Sequence, residues 1–285
     1  MYRKKDNIIK KTTINAAVQS IAFIFLIVLN LVPFYWGVVT SIKTRREIFI
    51  FPPKIVGFTL SIEHYKAVFD SGFLRNIGNS ILYSLGAIIL GLLLALIAAY
   101  GFERYRFRYR NIAFYVVVAG IPLAIGSAAM LIPNYIYMLK LGLTNHWYTL
   151  IVLYATYSLP MSIWIIKAGI QAIPIEIEEA AMIDGATKSY IIFNLIPLLC
   201  RPSIGAAALF IFIGSWNEFI VSSVMINASK LRPVQLAIHD YLGFFGVHWG
   251  PLTAASTVAV IPILIAFSLL GRLLISGLTQ GSVKG

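Results

Sequence analysis

Long stretches without charged residues alternate with short polar segments along the whole chain. Residues 12–42 and residues 76–102 contain no charged side chain at all. About 20 apolar residues suffice for a helix to cross the hydrocarbon core of a bilayer, so each stretch can hold a transmembrane helix. The pattern predicts six such spans, near residues 16–39, 76–102, 111–139, 147–166, 203–225 and 252–275.

Proline residues occur inside several of these predicted spans. A proline in a membrane helix is tolerated where neighbouring groups satisfy the freed carbonyl, and it marks a kink. We therefore expect bends within the first, third, fourth and sixth spans, at Pro33, Pro122, Pro133, Pro160 and Pro262.

The composition supports an all-α integral membrane protein. Of the 285 residues 59% are hydrophobic, the mean hydropathy is +0.83 and only 12% are charged, about half the usual charged share of a soluble domain. Residues 1–15 form a basic N-terminal segment, and residues 16–285 form the transmembrane domain. The apolar stretch after the basic segment is too long for a cleaved signal peptide and indicates a retained signal anchor.

The net charge of +12 fits membrane topology better than nucleic-acid binding. The basic residues lie between the apolar spans and form no single stripe. With six spans both termini share one side, which carries 14 Lys and Arg residues against 9 on the other. Cytoplasmic segments are enriched in these residues, so we expect cytoplasmic termini, an inner-membrane location and contacts with anionic lipid.

The longest polar interruption of the second half is residues 173–202, which hold four of the chain's 11 acidic residues. Pro174 suits the first turn of a helix, and the acidic side chains that follow complement the positive end of the helix dipole. Gly185 suits a helix end in the left-handed conformation. The stretch predicts two short helices with a bend at Asp184–Gly185, the second over residues 186–194 and stopped by Pro197 and Pro202. An ordinary amphipathic loop is an equal alternative on these grounds.

Three motifs resemble one family of transporters. Glu179-Ala180-Ala181, followed after three residues by Gly185, resembles the EAA loop of the membrane subunits of ATP-binding-cassette (ABC) importers. The sequence IPIEIEEAAMIDGA, the sequence WNEF at 216–219 and the terminal GLTQGSVKG resemble the carbohydrate-uptake permeases of the maltose type. The similarity extends over residues 73–285 and, more weakly, over the first span.

This resemblance implies the type I ABC importer permease fold, with about six transmembrane helices and a cytoplasmic EAA coupling-helix loop, here residues 170–201. In that family the loop docks in a cleft of the ATPase. The residues carried over to this coupling role are Glu178, Glu179, Ala180, Ala181, Asp184, Gly185 and Ala186. The family usually spaces its glycine and proline one residue further apart than Gly185 and Pro197, which leaves the register of the second short helix open.

The same resemblance implies the partners and the substrate class. We expect a second homologous permease, two ATPase subunits, an extracytoplasmic solute-binding protein and a carbohydrate substrate. This chain contains no phosphate-binding loop of the Gly-x-x-x-x-Gly-Lys-Ser/Thr type. ATP and Mg are therefore expected on the partner subunits, with no cofactor and no catalytic residue in this chain.

Glu218 is the acidic residue best placed inside a predicted span. A charge there costs roughly 3 kcal/mol on insertion scales, so it should face protein or water and have a partner. One interpretation places Glu218 and its neighbours on the translocation pathway or at a subunit contact, and the other makes them a packing pair held by hydrogen bonds. The candidates for the first interpretation are Trp216, Asn217, Glu218, Tyr154 and Tyr157, with Tyr135 and Trp164 as weaker ones.

Two other functions are open to a chain of this kind. A secondary transporter driven by an ion gradient needs an intramembrane acid, and Glu218 is the candidate. A membrane-embedded enzyme would need a cluster of His, Asp or Cys near the end of a span, which this sequence lacks. A metal site would have to use His239, Asp240 and His248, which lack regular ligand spacing and a cysteine partner. A solvated loop is the better interpretation of those three residues, and the importer is the function we predict.

Overall fold

The protein is almost entirely helical in its computed structural model, which describes residues 2–124, 128–243 and 246–280. An isolated bridge between Lys43 and Leu60 is the extent of β-structure within those ranges. The helices are α1 Tyr2–Ser41, α2 Arg45–Ile48, α3 Glu63–Asp70, α4 Phe73–Arg104, α5 Arg110–Ala119, α6 Ile121–Ala124, α7 Ala128–Lys140, α8 Trp147–Gln171, α9 Ile175–Ile183, α10 Lys188–Tyr190, α11 Ile196–Leu199, α12 Arg201–Trp216, α13 Ile220–Met225, α14 Val234–His239 and α15 Trp249–Gln280, with a π-helical segment Ile191–Leu195 and a 3₁₀ turn Ser229–Leu231.

Four helices in the part of the chain that the structure describes are long and apolar enough to cross a membrane. They are Gln19–Ser41 in α1, Phe73–Arg104, Trp147–Gln171 and Trp249–Gly271 in α15. A fifth crossing is available if Lys188–Leu199 and Arg201–Trp216, which meet at an angle of 86°, count as one broken span. Length and hydropathy together give a multi-pass membrane protein.

The chain forms two compact units within the described residues. The first consists of Met1–Ser71 and Tyr241–Val258, and the second of Gly72–Asp240 and Ala259–Gly285.

The polar segment after α1, in the first unit, is ordered by two charged side chains. Lys43 is 2% exposed, lies over the ring of Trp36 and donates to the carbonyl of Lys54. Glu47 accepts from the Lys54 ammonium at 3.1 Å and from the Thr59 amide at 3.0 Å, and the Lys54 hydrogen bond holds the pKa of Glu47 below its ordinary value.

The core of the second unit lies between α4, α8 and α12. Small residues along one face of α4 allow this close approach, because they bring the helix backbones together. Ala87, Ala95 and Ala99 are fully buried, and a Cβ built on Gly91 would lie 3.1 Å from the Ile211 side chain of α12. The small residues of α4 therefore mark a helix interface within this chain.

The third predicted span, residues 111–139, is not one continuous helix. It contains α5, α6 and α7, with residues 125–127 outside the described residues. Gly120 separates α5 from α6, and Pro122 follows it, so two residues that weaken a helix adjoin the break. The described structure of this region is a run of short helices.

The second short helix of the coupling loop is longer than predicted. It runs through Pro197 to Leu199 and does not stop at Asn194. The turn before Pro197 is widened, with the Ile196 amide bonded to the Ile191 carbonyl five residues back. In a regular α-helix the ring of Pro197 would clash with the carbonyl four residues earlier. The wider π turn before Pro197 departs from the regular α-helical geometry. Pro202 does mark a boundary, since it lies in the first turn of α12 after the 86° bend.

Candidate functional site

The coupling loop contains the two helices and the bend that the sequence predicts. Helix α9 ends at Ile183, and Gly185 has a φ of +90°. The Gly185 amide bonds to the Met182 carbonyl at 3.1 Å and the Ala186 amide to the Ala181 carbonyl at 2.9 Å. These two bonds form a Schellman motif, in which a left-handed residue ends the helix and satisfies its last carbonyls. The reversal of the chain at this point is thus a defined structure.

The second helix of the loop begins with its own cap. The Thr187 hydroxyl accepts a hydrogen bond from the Tyr190 amide, which satisfies one of the free amides at a helix N-terminus. Two residues of this helix, Ile191 and Ile196, are essentially fully buried. They join Ile166, Ile170 and other residues of α4, α8 and α12 in one hydrophobic cluster. The loop therefore rests on the ends of the spans over a continuous apolar surface.

Two adjacent glutamates of α9 have opposite environments. Glu178 is 2% exposed, and its carboxylate lies against the last turns of α4. Glu179, one residue further, is exposed, as are Ala180, Asp184 and Gly185, while Ala181 and Ala186 are half-buried. The predicted coupling residues thus divide into an outward set and one inward carboxylate, so Glu178 does not lie on the surface that a partner can contact.

The outward surface of the loop is rich in large apolar side chains. Ile183 is 87% exposed, beside Met182, and Tyr190 is more than half exposed. Scattered exposed apolar residues are ordinary on protein surfaces, but a group beside a rigid turn is typical of a site that another protein covers. The acidic side chains of Glu179 and Asp184 border this group.

Sequence reasoning missed Arg104 and Tyr100 as residues of this site. The Arg104 guanidinium donates to Glu178 at 2.6 Å and to the carbonyls of Ile170 and Ile173 at 3.2 and 2.9 Å. The Tyr100 hydroxyl donates to the other carboxylate oxygen of Glu178 at 2.9 Å. Arg104 and Tyr100 lie four residues apart, so they share a face of α4. The position of Arg104, two residues after the end of a charge-free stretch, was the available signal.

The second candidate site, around Glu218, is a break between two helices. Helix α12 ends at Trp216 and α13 begins at Ile220. The Glu218 carboxylate accepts from the amides of Val221 and Ser222 at 2.5 and 3.0 Å. These are free amides of the first turn of α13, and a carboxylate is a favourable acceptor there. The predicted fifth span of residues 203–225 is therefore interrupted where its acid lies.

The other residues of that group have distinct environments. The Tyr154 hydroxyl donates to Glu218 at 3.0 Å, and Tyr154 is 2% exposed. Trp216 is 1% exposed and stacks on Phe212, with ring centroids 5.5 Å apart, whereas Asn217 is exposed. Tyr157 is half-buried and accepts from the Asn134 amide at 2.7 Å. The geometry favours the packing interpretation for Trp216, Glu218 and Tyr154, and their pathway role stays a prediction.

The two residues suggested as metal ligands within the second unit have other contacts. Asp240 forms an ion pair with Arg232, and the His239 ring stacks on that of Phe219 with centroids 4.6 Å apart. The two side chains are thus positioned by an ion pair and by aromatic stacking.

The comparisons with known proteins identify the family. Residues 87–280 match the family of the binding-protein-dependent transport system inner membrane component. The chain belongs to this family. It is thus a multi-pass permease subunit of an ABC importer and not an enzyme. The last residues of the family-like tail, 281–285, lie outside the described residues.

Curated relatives and a solved structure agree with this assignment. The sulfoquinovosyl glycerol transport system permease protein SmoH of Agrobacterium fabrum is 30% identical over 268 residues, with 93% of each chain covered. The trehalose/maltose transport system permease protein MalG of Thermococcus litoralis is 29% identical over 275 residues, covering 93% of this chain and 95% of MalG. A bacterial ABC transporter involved in the import of the acidic polysaccharide alginate superposes with a TM-score of 0.79 at 18% identity, covering 91% of this chain and 96% of that one. The last likeness confirms the permease fold.

Proposed function

We propose that this chain is a transmembrane subunit of an ATP-driven importer that moves a sugar or an oligosaccharide into the cytoplasm. The carbohydrate class is supported by relatives named for transport of sulfoquinovosyl glycerol and of trehalose and maltose. The observation that carries the coupling role is the two-helix loop of α9 and residues 188–199. It presents exposed side chains on one face and is fixed to three spans on the other.

The proposed assembly contains four kinds of chain. This permease pairs with a second, homologous permease, two ATPase subunits bind ATP and Mg at their own sites, and an extracytoplasmic binding protein delivers the substrate. Counted for the six spans that the sequence predicts, the bias of 14 basic residues against 9 supports cytoplasmic termini and a coupling loop on the same side as the ATPase.

The contribution of this chain is mechanical. Closure of the ATPase dimer around ATP would move α9, and a helix transmits such a displacement only if its joints are stiff. The Schellman turn at Gly185 and the buried contacts of Ile191 and Ile196 supply that stiffness. The spans α4, α8 and α12, which pack against one another, would then tilt together and open the pathway alternately to the two sides.

The rival function, a secondary transporter, fits the geometry less well. An ion-coupling carboxylate has to exchange its ion or proton during each cycle. The carboxylate of Glu218 instead accepts hydrogen bonds from the Val221 amide, the Ser222 amide and the Tyr154 hydroxyl. A carboxylate that accepts three hydrogen bonds is better suited to stabilising the break between α12 and α13.

Purification of the tagged chain from its own host in mild detergent tests the proposed function. We expect an ATPase and a second permease at comparable stoichiometry. Replacement of the exposed Ile183 by Asp should reduce ATPase recovery, because a charge would enter the apolar docking surface. Ile62, which lies between α2 and α3 and is 64% exposed, provides the matched control, and I62D should leave ATPase recovery unchanged. A stable chain that purifies alone and takes up substrate in liposomes without ATP would overturn the proposal.

A further inference from the structure

A short ion pair joins the coupling loop to α4, a span that does not adjoin the loop in the sequence. Helix α9 follows α8 in sequence, separated by residues 172–174. Its buried carboxylate, Glu178, is bound by α4, whose Arg104 lies 74 residues earlier in the chain. Motion of α9 therefore has a direct route into α4 as well as into α8.

Arg104 connects three elements at one point. One guanidinium nitrogen binds the Glu178 carboxylate of α9, and another binds the carbonyls of Ile170 in α8 and of Ile173 in the linker. The last carbonyls of a helix lack intrahelical partners, and a cation there also complements the negative end of the helix dipole. The planar fork of arginine can serve several acceptors at once, which the single ammonium group of lysine does less well.

Both oxygens of Glu178 are used, which fixes the orientation of α9 as well as its position. Oε1 binds Arg104 at 2.6 Å and Oε2 binds the Tyr100 hydroxyl at 2.9 Å. The side chains of Arg104 and Glu178 are 11% and 3% exposed. Buried charge-assisted bonds of this kind are short and strong. A nine-residue helix has little stability of its own, so its direction depends on such contacts.

A second ion pair reinforces the same junction. Lys167 of α8 binds Glu103 of α4 at 2.7 Å and lies over the ring of Phe114. In the last turn of α4, Glu103 thus binds α8, and Arg104 binds both α8 and α9. The C-terminal end of α4 is held to both partners by charged groups.

We propose that Arg104 and Glu178 are positioning residues that transfer displacement of the coupling helix to α4, so that α4 and α8 move as one body during transport. This inference rests on the proposed function, because it assigns a route to the motion that the ATPase would impose on α9. It predicts that weakening the pair lowers the number of substrate molecules imported per ATP hydrolysed, while the ATPase stays bound.

The test uses the complete importer, with its binding protein, in proteoliposomes. Uptake and ATP hydrolysis are measured on the same preparation. Glu178→Gln should lower uptake per ATP at least about five-fold, and R104K, which keeps a charge but not the fork, should give an intermediate value. Y100F removes one hydrogen bond and keeps the ring, so it should give a smaller loss in the same direction even if the charge variants fold poorly. Glu176→Gln is the matched control, because Glu176 lies on the same helix but is exposed.

The outcomes separate the inference from the proposed function. If the variants lower the yield of complex but the surviving complexes import as many molecules per ATP as wild type, the pair is structural only and the inference is overturned. Equal values for Glu178→Gln, Tyr100→Phe and Glu176→Gln would overturn it as well. If the wild-type complex itself shows no ATP-dependent uptake, the proposed function fails, independently of any effect of the variants.

Discussion

The bend at Gly185 gives the sharpest prediction about the coupling loop. Gly185 has a φ of +90°, and a Cβ built on it would meet no atom within 4 Å. Steric crowding with neighbours is therefore absent, and the effect of a substitution comes from the backbone alone. A left-handed conformation costs an ordinary L-residue about 1–2 kcal/mol, and more for a β-branched side chain, which is a clear outlier at positive φ.

The magnitude follows from this conformational penalty. At an RT of about 0.6 kcal/mol, 1–2 kcal/mol changes the equilibrium between the bent and the unbent loop by about 5-fold to 30-fold. If coupled transport requires the bent loop, the same factor limits the decrease in uptake per ATP. Asparagine tolerates the left-handed region, so its side chain adds size without the full penalty.

The experiment compares Gly185→Asn, Gly185→Ala and Gly185→Val in the reconstituted complex, with uptake and ATP hydrolysis measured together. We expect uptake per ATP to decrease in the order Gly, Asn, Ala, Val. The matched control is Gly101→Val, because Gly101 also has open space around its Cβ position but no positive φ. Equal behaviour of the Asn and Val variants at position 185 would refute the backbone argument, since the two differ mainly in their tolerance of positive φ.

Three further predictions concern the rest of the chain. Replacing Glu218 by Ala should lower the thermal unfolding midpoint of the detergent-solubilised complex, because each buried donor left without an acceptor destabilises it by about 1–3 kcal/mol. Replacing Glu218 by Gln should destabilise the complex less, because glutamine keeps one acceptor oxygen. The hydrogen bond from Lys54 lowers the pKa of Glu47 from its ordinary value of 4.5. The bond therefore stabilises the segment at pH values above 4.5, and this stabilisation is lost as the pH falls through the lower pKa of the folded state. An NMR titration of the Glu47 carboxyl group measures that pKa. Gly91→Leu should destabilise the complex by about 1–3 kcal/mol through overpacking, measured as a lower unfolding midpoint, whereas Gly101→Leu on the same helix should be close to neutral.

Each of these three has an outcome that contradicts it. Unchanged midpoints for Glu218→Ala would mean that the helix break does not depend on its carboxylate. A titration of Glu47 at or above 4.5, or no change on Lys54→Met, would contradict the assigned ion pair. Equal midpoints for the Leu variants of Gly91 and Gly101 would show that α4 and α12 are not closely packed at Ile211.

Several features of the fold follow from the sequence because their causes are local. Charge-free stretches of sufficient length predict α1, α4 and α15, and a glycine after an alanine-rich turn predicts the end of α9. The caps at Gly185 and Thr187 involve residues within five positions of each other. Patterns of this range are visible in a single sequence.

The effect of a proline, by contrast, is not local. Helix α8 continues through Pro160 and α15 through Pro262, while the third predicted span is broken near Pro122. Pro160 lies between Tyr154 and Ile163, which are buried in the packed core, whereas every described residue of α5 retains some exposure. Tertiary packing decides whether a proline kinks a helix or ends it, and one sequence does not show that packing.

The two neighbouring glutamates of α9 show the same limit within the site. Successive residues of a helix point about 100° apart, so Glu178 and Glu179 face different surroundings although they are neighbours in the sequence. Their difference depends on Arg104 and Tyr100, more than 70 residues away in sequence.

Replacement of Glu178 and of Glu179 by glutamine should consequently impair the importer in different ways. Loss of the Glu178 charge loosens α9 from α4 and leaves the outer surface intact, so the ATPase should still bind while uptake per ATP decreases. Loss of the Glu179 charge alters the outer surface and leaves the joint intact, so it should weaken ATPase binding while each bound ATPase drives normal uptake.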